Sequence, residues 1–289
     1  MKRKRILCFA VLAVLLSLAV GGAVAEQPPQ MKTITQKGKI AIGLNADYPP
    51  FCLWHNGQPR GFDVELARAI AAKMGLDPQR DVTFTPVRAT DFIDALESGK
   101  IDLAVAGITI TSERSKRVAF TRPYYTATLA ALLARAKVPQ IQVENVVRPM
   151  PLSSVTDLKK IEPLVVAVKE QTTIQIKSQR LLRHSKIVGF PDMRSATEAV
   201  VEGHADALIH EDPYLRHLKA GELGRVGRFV ALTKPVTKER LAVACRPGDP
   251  DFLRWLNVAI DELDDAGLLA AWEERYFDHV DWRKEVPWK

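Results

Sequence analysis

Apolar positions along this chain fall into two alternating patterns. Short, nearly continuous apolar runs at residues 39–44, 82–86, 101–106, 129–133, 164–168, 186–188, 205–209, 229–232 and 240–245 read as strands buried on both faces. Between them, apolar residues recur every three or four positions. Val64, Ala67, Ile70, Ala71 and Met74 form one such stripe. The same spacing predicts helices over 92–97, 172–182, 195–202, 212–218, 252–265 and 268–276, with a polar helix over 112–117. The punctuation agrees: Asp63 is placed to cap the helix ending at Gly75, Asp249 or Asp251 to cap the one at 252–265, and Gly267 to stop it. Tyr48-Pro49-Pro50 forces an extended turn, and 51–54 with 57–61 reads as a strand and hairpin. Residues 27–37 read as a loose tail, and the Pro- and Val-rich stretch 137–154 as an exposed loop. Strands alternating with helices predict an α/β fold of mostly parallel sheets flanked by helices, and the restart of the alternation near Leu164 predicts a second such unit.

The first residues stand outside this pattern. A basic stub (Lys2, Arg3, Lys4, Arg5), an apolar run over 6–20 and small residues up to Ala25 have the order of a secretory signal peptide cleaved after Ala25. The run is short for a membrane span. Cys8 lies early in it, where a lipoprotein anchor would need a cysteine at its end. About 264 residues then remain, natural for two cores. Export also changes the charge picture. The whole chain carries 41 basic and 34 acidic residues, net +7. The leader holds four of the basic residues and no acidic one, so the mature chain is close to balance and gives no reason to expect nucleic acid. Cys52 and Cys245 remain, either paired in an oxidising compartment or buried as thiols. Without C-x-x-C spacing they suggest neither a metal nor a redox centre.

Candidate chemistry sits at three turns that follow strands, where ligands bind in open α/β sheets. The first, 106–114, offers the Gly107 backbone, the Thr109 hydroxyl and Arg114. Taken alone, Arg114 is either a solvated surface arginine or a fork for a carboxylate. The second, 168–173, brings Lys169, Thr172 and Thr173, which are helix caps or donors to an anion. The third, 209–213, brings His210, Glu211 and Asp212. Asp212 with Pro213 is a standard helix start, which leaves Glu211 free to pair with an ammonium. Tyr48, after the first strand, can lie along an apolar ligand stem, whereas Phe51 reads as core. A basic fork, hydroxyls and an acidic pair match an α-amino acid. No Ser–His–Asp order, glycine-rich phosphate loop or metal-ligand spacing competes, so no cofactor is expected.

The runs GFDVELARAIAAKMG (61–75), DLAVAGITITSERSKRVAFTRPYY (102–125) and ADALIHEDP (205–213) resemble the polar-amino-acid family of bacterial periplasmic binding proteins, with the glutamine binders as the nearest members. The resemblance spans about residues 39–278. It implies a two-lobed, type II periplasmic-binding-protein-like fold with the ligand in the inter-lobe cleft. After the signal peptide (1–25) and tail (26–37), lobe 1 would comprise 38–127 and a return segment, 233–281, and lobe 2 would comprise 128–232, with 282–289 as a C-terminal tail. The crossings would lie near 126–130 and 230–236. The resemblance further implies a monomer that binds a free amino acid in the periplasm and docks on the membrane permease of an ABC importer, without catalysis. Carried over by position, Arg114 clamps the carboxylate together with the Thr173 N–H. Thr109, the Gly107 carbonyl and Glu211 hold the ammonium, Tyr48 stacks on the ligand, and Lys169 and His210 face its side chain. Asn45 departs from the pattern, standing where glutamine and basic-amino-acid binders use aspartate. Ala89 stands where an aromatic usually forms a wall. Two other functions use the same fold: a secreted dehydratase of prephenate-like acids, with Asn45, His210 and Glu211 as orienting and acid–base groups, and a sensor subunit presenting ligand to a receptor.

Overall fold

The computed structural model describes residues 29–220 and 227–279. Two five-stranded sheets carry the fold. The first runs in the order β5 (Val82–Pro86), β1 (Ile40–Leu44), β6 (Leu103–Thr109), β15 (Glu239–Cys245), β7 (Ala119–Ala127). Here β1 is parallel to β5 and β6, and β15 is antiparallel to β6 and β7. The second runs in the order β12 (Lys186–Phe190), β11 (Val165–Lys169), β13 (Ala207–Glu211), β8 (Leu129–Ala134), β14 (Phe229–Leu232). Its directions are the same, with β11 parallel to both neighbours and β8 antiparallel to both of its own. Each sheet thus has four strands running one way and a single reversed strand inserted next to the edge. The chain passes from the first sheet to the second between Ala127 and Leu129, and returns between Leu232 and Glu239. Hydroxyls tie the two crossings together: Thr237 Oγ1 accepts from the Leu129 N–H at 2.7 Å, and Thr128 Oγ1 lies 3.3 Å from Thr237 Oγ1.

Helices cover the sheets and explain why the strands read as continuous apolar runs: β11 and β13 are buried almost throughout. On the first sheet, α2 (Phe62–Lys73) buries Phe62, Val64, Leu66, Ala67, Ile70 and Ala71. α3 (Phe92–Glu97) covers a smaller cluster with Leu96 and Ile101. The second sheet is flanked by α4 (Thr173–Leu181), α5 (Met193–Val201) and α6 (Asp212–Ala220). The last helices, α7 (Pro250–Asp265) and α8 (Leu268–Glu273), return to the first lobe. The π-helical turn that follows sets the Phe277 ring 5.0 Å from Phe51 and 5.7 Å from Phe62.

Four local expectations change. Most of the stretch read as a loose tail is helical: α1 (Gln30–Lys37) buries Ile34, and the Gln30 N–H donates to Asp249 Oδ2 at 2.6 Å. The stretch 137–154 is not wholly loop. It contains the hairpin β9 (Gln140–Val143) and β10 (Val146–Pro149), turned by Glu144 and Asn145 at positive φ. The polar helix at 112–117 shrinks to a single 3-10 turn, Arg114–Lys116, because β7 starts three residues later. Asp63 does not cap α2. The helix begins one residue earlier, and the Asp63 carboxyl is fully buried inside the lobe. Cys52 and Cys245 are free, buried thiols. The expected signal peptide, residues 26–28 of the tail and the C-terminal tail lie outside the described residues.

Candidate functional site

The carboxyl ends of strands from both sheets open into one cleft, the position that open α/β sheets use for ligands. The first lobe brings Asn45, Asp47 and Tyr48 after β1, Ala89 after β5, and Gly107, Thr109 and Arg114 at and after the end of β6. The second brings Lys169, Thr172, Thr173 and Ile174 after β11, and His210 and Glu211 at the end of β13. Every residue to which the resemblance gave a ligand role lines this cleft, whereas Asp212 does not.

Arg114 is held against the first-lobe wall. Its Nη1 donates to the Thr109 carbonyl at 2.8 Å, and its guanidinium carbon lies 5.4 Å from the Phe92 ring centre. Burial depresses its pKa, and Glu211 opposes that from across the cleft. Among the described residues no carboxylate forms an ion pair with it, so its fork keeps donors for an incoming anion. With a lone 3-10 turn at this point, the anion-binding capacity belongs to the side chain and not to a helix terminus.

Opposite, three buried polar atoms lack a well-formed hydrogen bond: Tyr48 Oη, His210 Nδ1 and Glu211 Oε2. His210 Nδ1 and Glu211 Oε2 approach to 2.8 Å. The Tyr48 and His210 rings meet edge-on, 5.1 Å apart. Burial pushes the Glu211 carboxyl upward, but the adjacent His210 imidazole, with the Glu211 backbone N–H and the Tyr48 hydroxyl, outweighs it and holds the group below the ordinary glutamate value. Burial above all, with Glu211 adding to it, pushes the Tyr48 hydroxyl well up. Tyr48 and His210 both adjoin Glu211, so the three form one buried polar cluster on the cleft wall whose remaining hydrogen-bonding capacity faces the cleft.

Gly107 connects this wall to the core. Its φ is +59°, and a β-carbon there would fall 2.2 Å from Tyr48 Cε1, so glycine alone lets the tyrosine lie against the strand end. The Gly107 N–H donates to Tyr124 Oη at 3.2 Å, and Tyr124 donates to Asp63 Oδ1 at 2.8 Å. Burial raises Asp63 to about 7, against the pull of Tyr124 and the Gly107 backbone.

The remaining positions are more local. Asn45 Oδ1 accepts from the Asp47 N–H at 3.4 Å, which uses one end of its amide in the turn. Thr172 caps α4 by accepting from the Gln175 N–H at 3.2 Å, and Thr173 opens the helix. Lys169 Nζ lies 3.5 Å from Asp47 Oδ2. Asp47 escaped the sequence reading. A carboxylate in a turn carries no pattern of its own, and its partners lie 122 and 146 positions away.

A bilobal α/β fold with one polar cleft between its sheets defines a solute-binding architecture, and sequence comparison agrees. The chain belongs to the bacterial extracellular solute-binding proteins, family 3, whose profile matches residues 40–279. It is 27% identical over 287 residues to the ABC transporter glutamine-binding protein GlnH of Bacillus subtilis, covering 96% of each chain. It is 24% identical over 250 residues to the L-cystine-binding protein TcyJ of Escherichia coli, covering 86% of this chain and 85% of that one. Among solved structures, it superimposes on the ancestral amino acid-binding protein AncCDT-1, a precursor of cyclohexadienyl dehydratase, with a TM-score of 0.72 and 32% identity, covering 86% of this chain and 99% of that one.

Proposed function

We propose that the chain captures a polar amino acid outside the cytoplasm and hands it to the permease of an ABC importer, acting as a monomer and catalysing no reaction. Residues 1–25 direct export and are removed. Arg114 binds the α-carboxylate bidentately, helped by the Thr173 N–H. Glu211, the Thr109 hydroxyl and the Gly107 carbonyl receive the α-ammonium. Tyr48 lies along the ligand stem, and Asn45, Lys169 and His210 face its side chain. The observation that supports this reading is that an arginine with no carboxylate partner among the described residues lines the same cleft as a buried Glu211 on the facing lobe. Those are the two charges that a zwitterion supplies in reverse. The names of the relatives, which bind glutamine or cystine, support amino acids as the solute class.

Calorimetric titration of residues 26–289 with the set of amino acids tests it. Saturable one-to-one binding of at least one polar amino acid is expected. Binding of none, together with turnover of a prephenate-like cyclic acid, would replace transport by a dehydratase that uses His210 and Glu211 as its acid–base pair.

A further inference from the structure

Asp47 has no part in the roles assigned above, yet it joins the lobes. It sits on β2 (Asp47–Tyr48) in the first lobe. Its Oδ2 accepts from the backbone N–H of Met193 at 3.0 Å and lies 3.5 Å from Lys169 Nζ, both groups belonging to the second lobe. Met193 is the first residue of α5, so its N–H is one of the donors a helix cannot satisfy internally, and the helix dipole favours a carboxylate there. The cap of that helix is already filled, because Asp192 Oδ1 accepts from the Ser195 N–H at 2.7 Å. The Met193 donor is therefore left for a group from across the cleft. Lys169, with only 12% of its side chain exposed, forms no ion pair other than that with Asp47 among the described residues.

We infer that Asp47 is an intrinsic counter-ion that latches the lobes together and withdraws the Lys169 charge from ligand recognition, so that the cleft selects amino acids with an uncharged side chain. This rests on the amino-acid reading of the same cleft. With Lys169 matched, Arg114 and Glu211 remain for the α-carboxylate and α-ammonium. A cationic side chain would find no carboxylate left to meet it, because Asn45 is neutral. An anionic side chain would have to displace Asp47 from Lys169. One carboxylate thus serves both closure and specificity.

Affinities for glutamine, asparagine, glutamate, aspartate, arginine and the best neutral ligand of the wild type are measured by calorimetry in the wild type, Asp47→Asn, Lys169→Met and the double variant. Circular dichroism checks folding. Asp47 is 31% exposed, so its replacement leaves the cores intact. The wild type is expected to favour neutral side chains. Asp47→Asn frees Lys169, and the affinity for glutamate or aspartate relative to the best neutral ligand then rises about tenfold or more. In the double variant that gain disappears. A ratio in Asp47→Asn within about twofold of the wild type, or a wild-type preference for arginine, overturns the inference while leaving amino-acid capture standing. A wild type that binds no amino acid removes both.

Discussion

At the scale of single residues the proposed site sets a half-buried Arg114 against a buried Glu211, and the arginine can be tested directly. Arg114→Ala removes a cation of the cleft that has no carboxylate partner among the described residues. Breaking a buried charge-assisted pair costs about 2–5 kcal/mol, so amino-acid affinity is expected to fall by about two orders of magnitude or more without loss of fold. Arg114→Lys is expected to recover only part of it, since an ammonium lacks the planar fork. Calorimetry reads both, and an unchanged dissociation constant in Arg114→Ala would remove this residue from the site. Asp63 makes a different prediction. Burial raises its pKa from 3.8 to about 7, so the folded state keeps a proton that the unfolded chain releases. Its contribution is therefore most favourable below pH 4 and is lost as pH rises toward 7, by about 4 kcal/mol in all. Asp63→Asn, which can still accept from Tyr124, is expected to flatten that part of the pH profile. Urea midpoints at pH 4 and pH 8 check it, and parallel profiles for the two proteins would refute it. The turn at 106–114 left Arg114 open between a surface arginine and a carboxylate fork, and the resemblance alone assigned it the second role, whereas the chemistry of Asp63 depends on Tyr124, 61 positions away.

Secondary-structure elements were legible wherever burial imposed a period. The apolar runs became strands and the three-to-four spacing became helices; the inner strands β6, β11 and β13 are buried almost throughout, whereas the edge strands β5 and β12, read as buried on both faces, are partly exposed because each has a neighbour on one side only. Misreadings fell where a segment's environment comes from elsewhere. The tail 26–37 is polar except for Met31 and Ile34, too sparse to announce α1, which is held through Ile34 and through Gln30, bound to Asp249 and the Arg246 carbonyl. The hairpin β9–β10 is the reverse case. It pairs with itself, and β10 is exposed along its whole length, with Val146 60% and Val147 67% accessible. These two elements should respond oppositely to perturbation. Ile34→Ala is expected to destabilise the protein by about 2–4 kcal/mol. Replacing residues 140–149 by a short glycine-containing turn is expected to leave the denaturation midpoint and ligand affinity nearly unchanged, because closing a shorter loop costs little. Urea denaturation of both variants decides it. A large loss on excising the hairpin would mean that it packs against more than itself.

For the whole molecule, the two lobes were foreseeable from the restart of the alternation, but the reversed strand in each sheet was not. β8 and β15 read as ordinary apolar runs, and nothing in a run states the direction of its neighbours. Those two strands are where the chain changes lobe, so mechanical coupling concentrates beside them. Glu239, the first residue of β15, is fully buried, and Lys177 reaches it from α4 in the other lobe with Nζ 2.5 Å from both carboxylate oxygens. Burial raises the Glu239 carboxyl, and Lys177 works against that rise. The Glu239 side chain is buried while 39% of the Lys177 side chain is exposed, so solvent softens the loss below the about 3–5 kcal/mol of a fully buried pair. Lys177→Met is therefore expected to be moderately destabilising. The sign of its pH dependence follows: once the lysine is gone, the carboxyl pKa lies higher still, so the deficit is largest at alkaline pH and shrinks as Glu239 takes up a proton in acid. Adding Glu239→Gln to Lys177→Met removes the charge altogether and should restore most of the stability at every pH. Thermal denaturation of the wild type, the single variant and the double variant at pH 5 and pH 8 separates these cases. A pH-independent deficit in Lys177→Met, or no rescue by the second substitution, would show that Lys177 acts through packing and that the crossing is not held by charge.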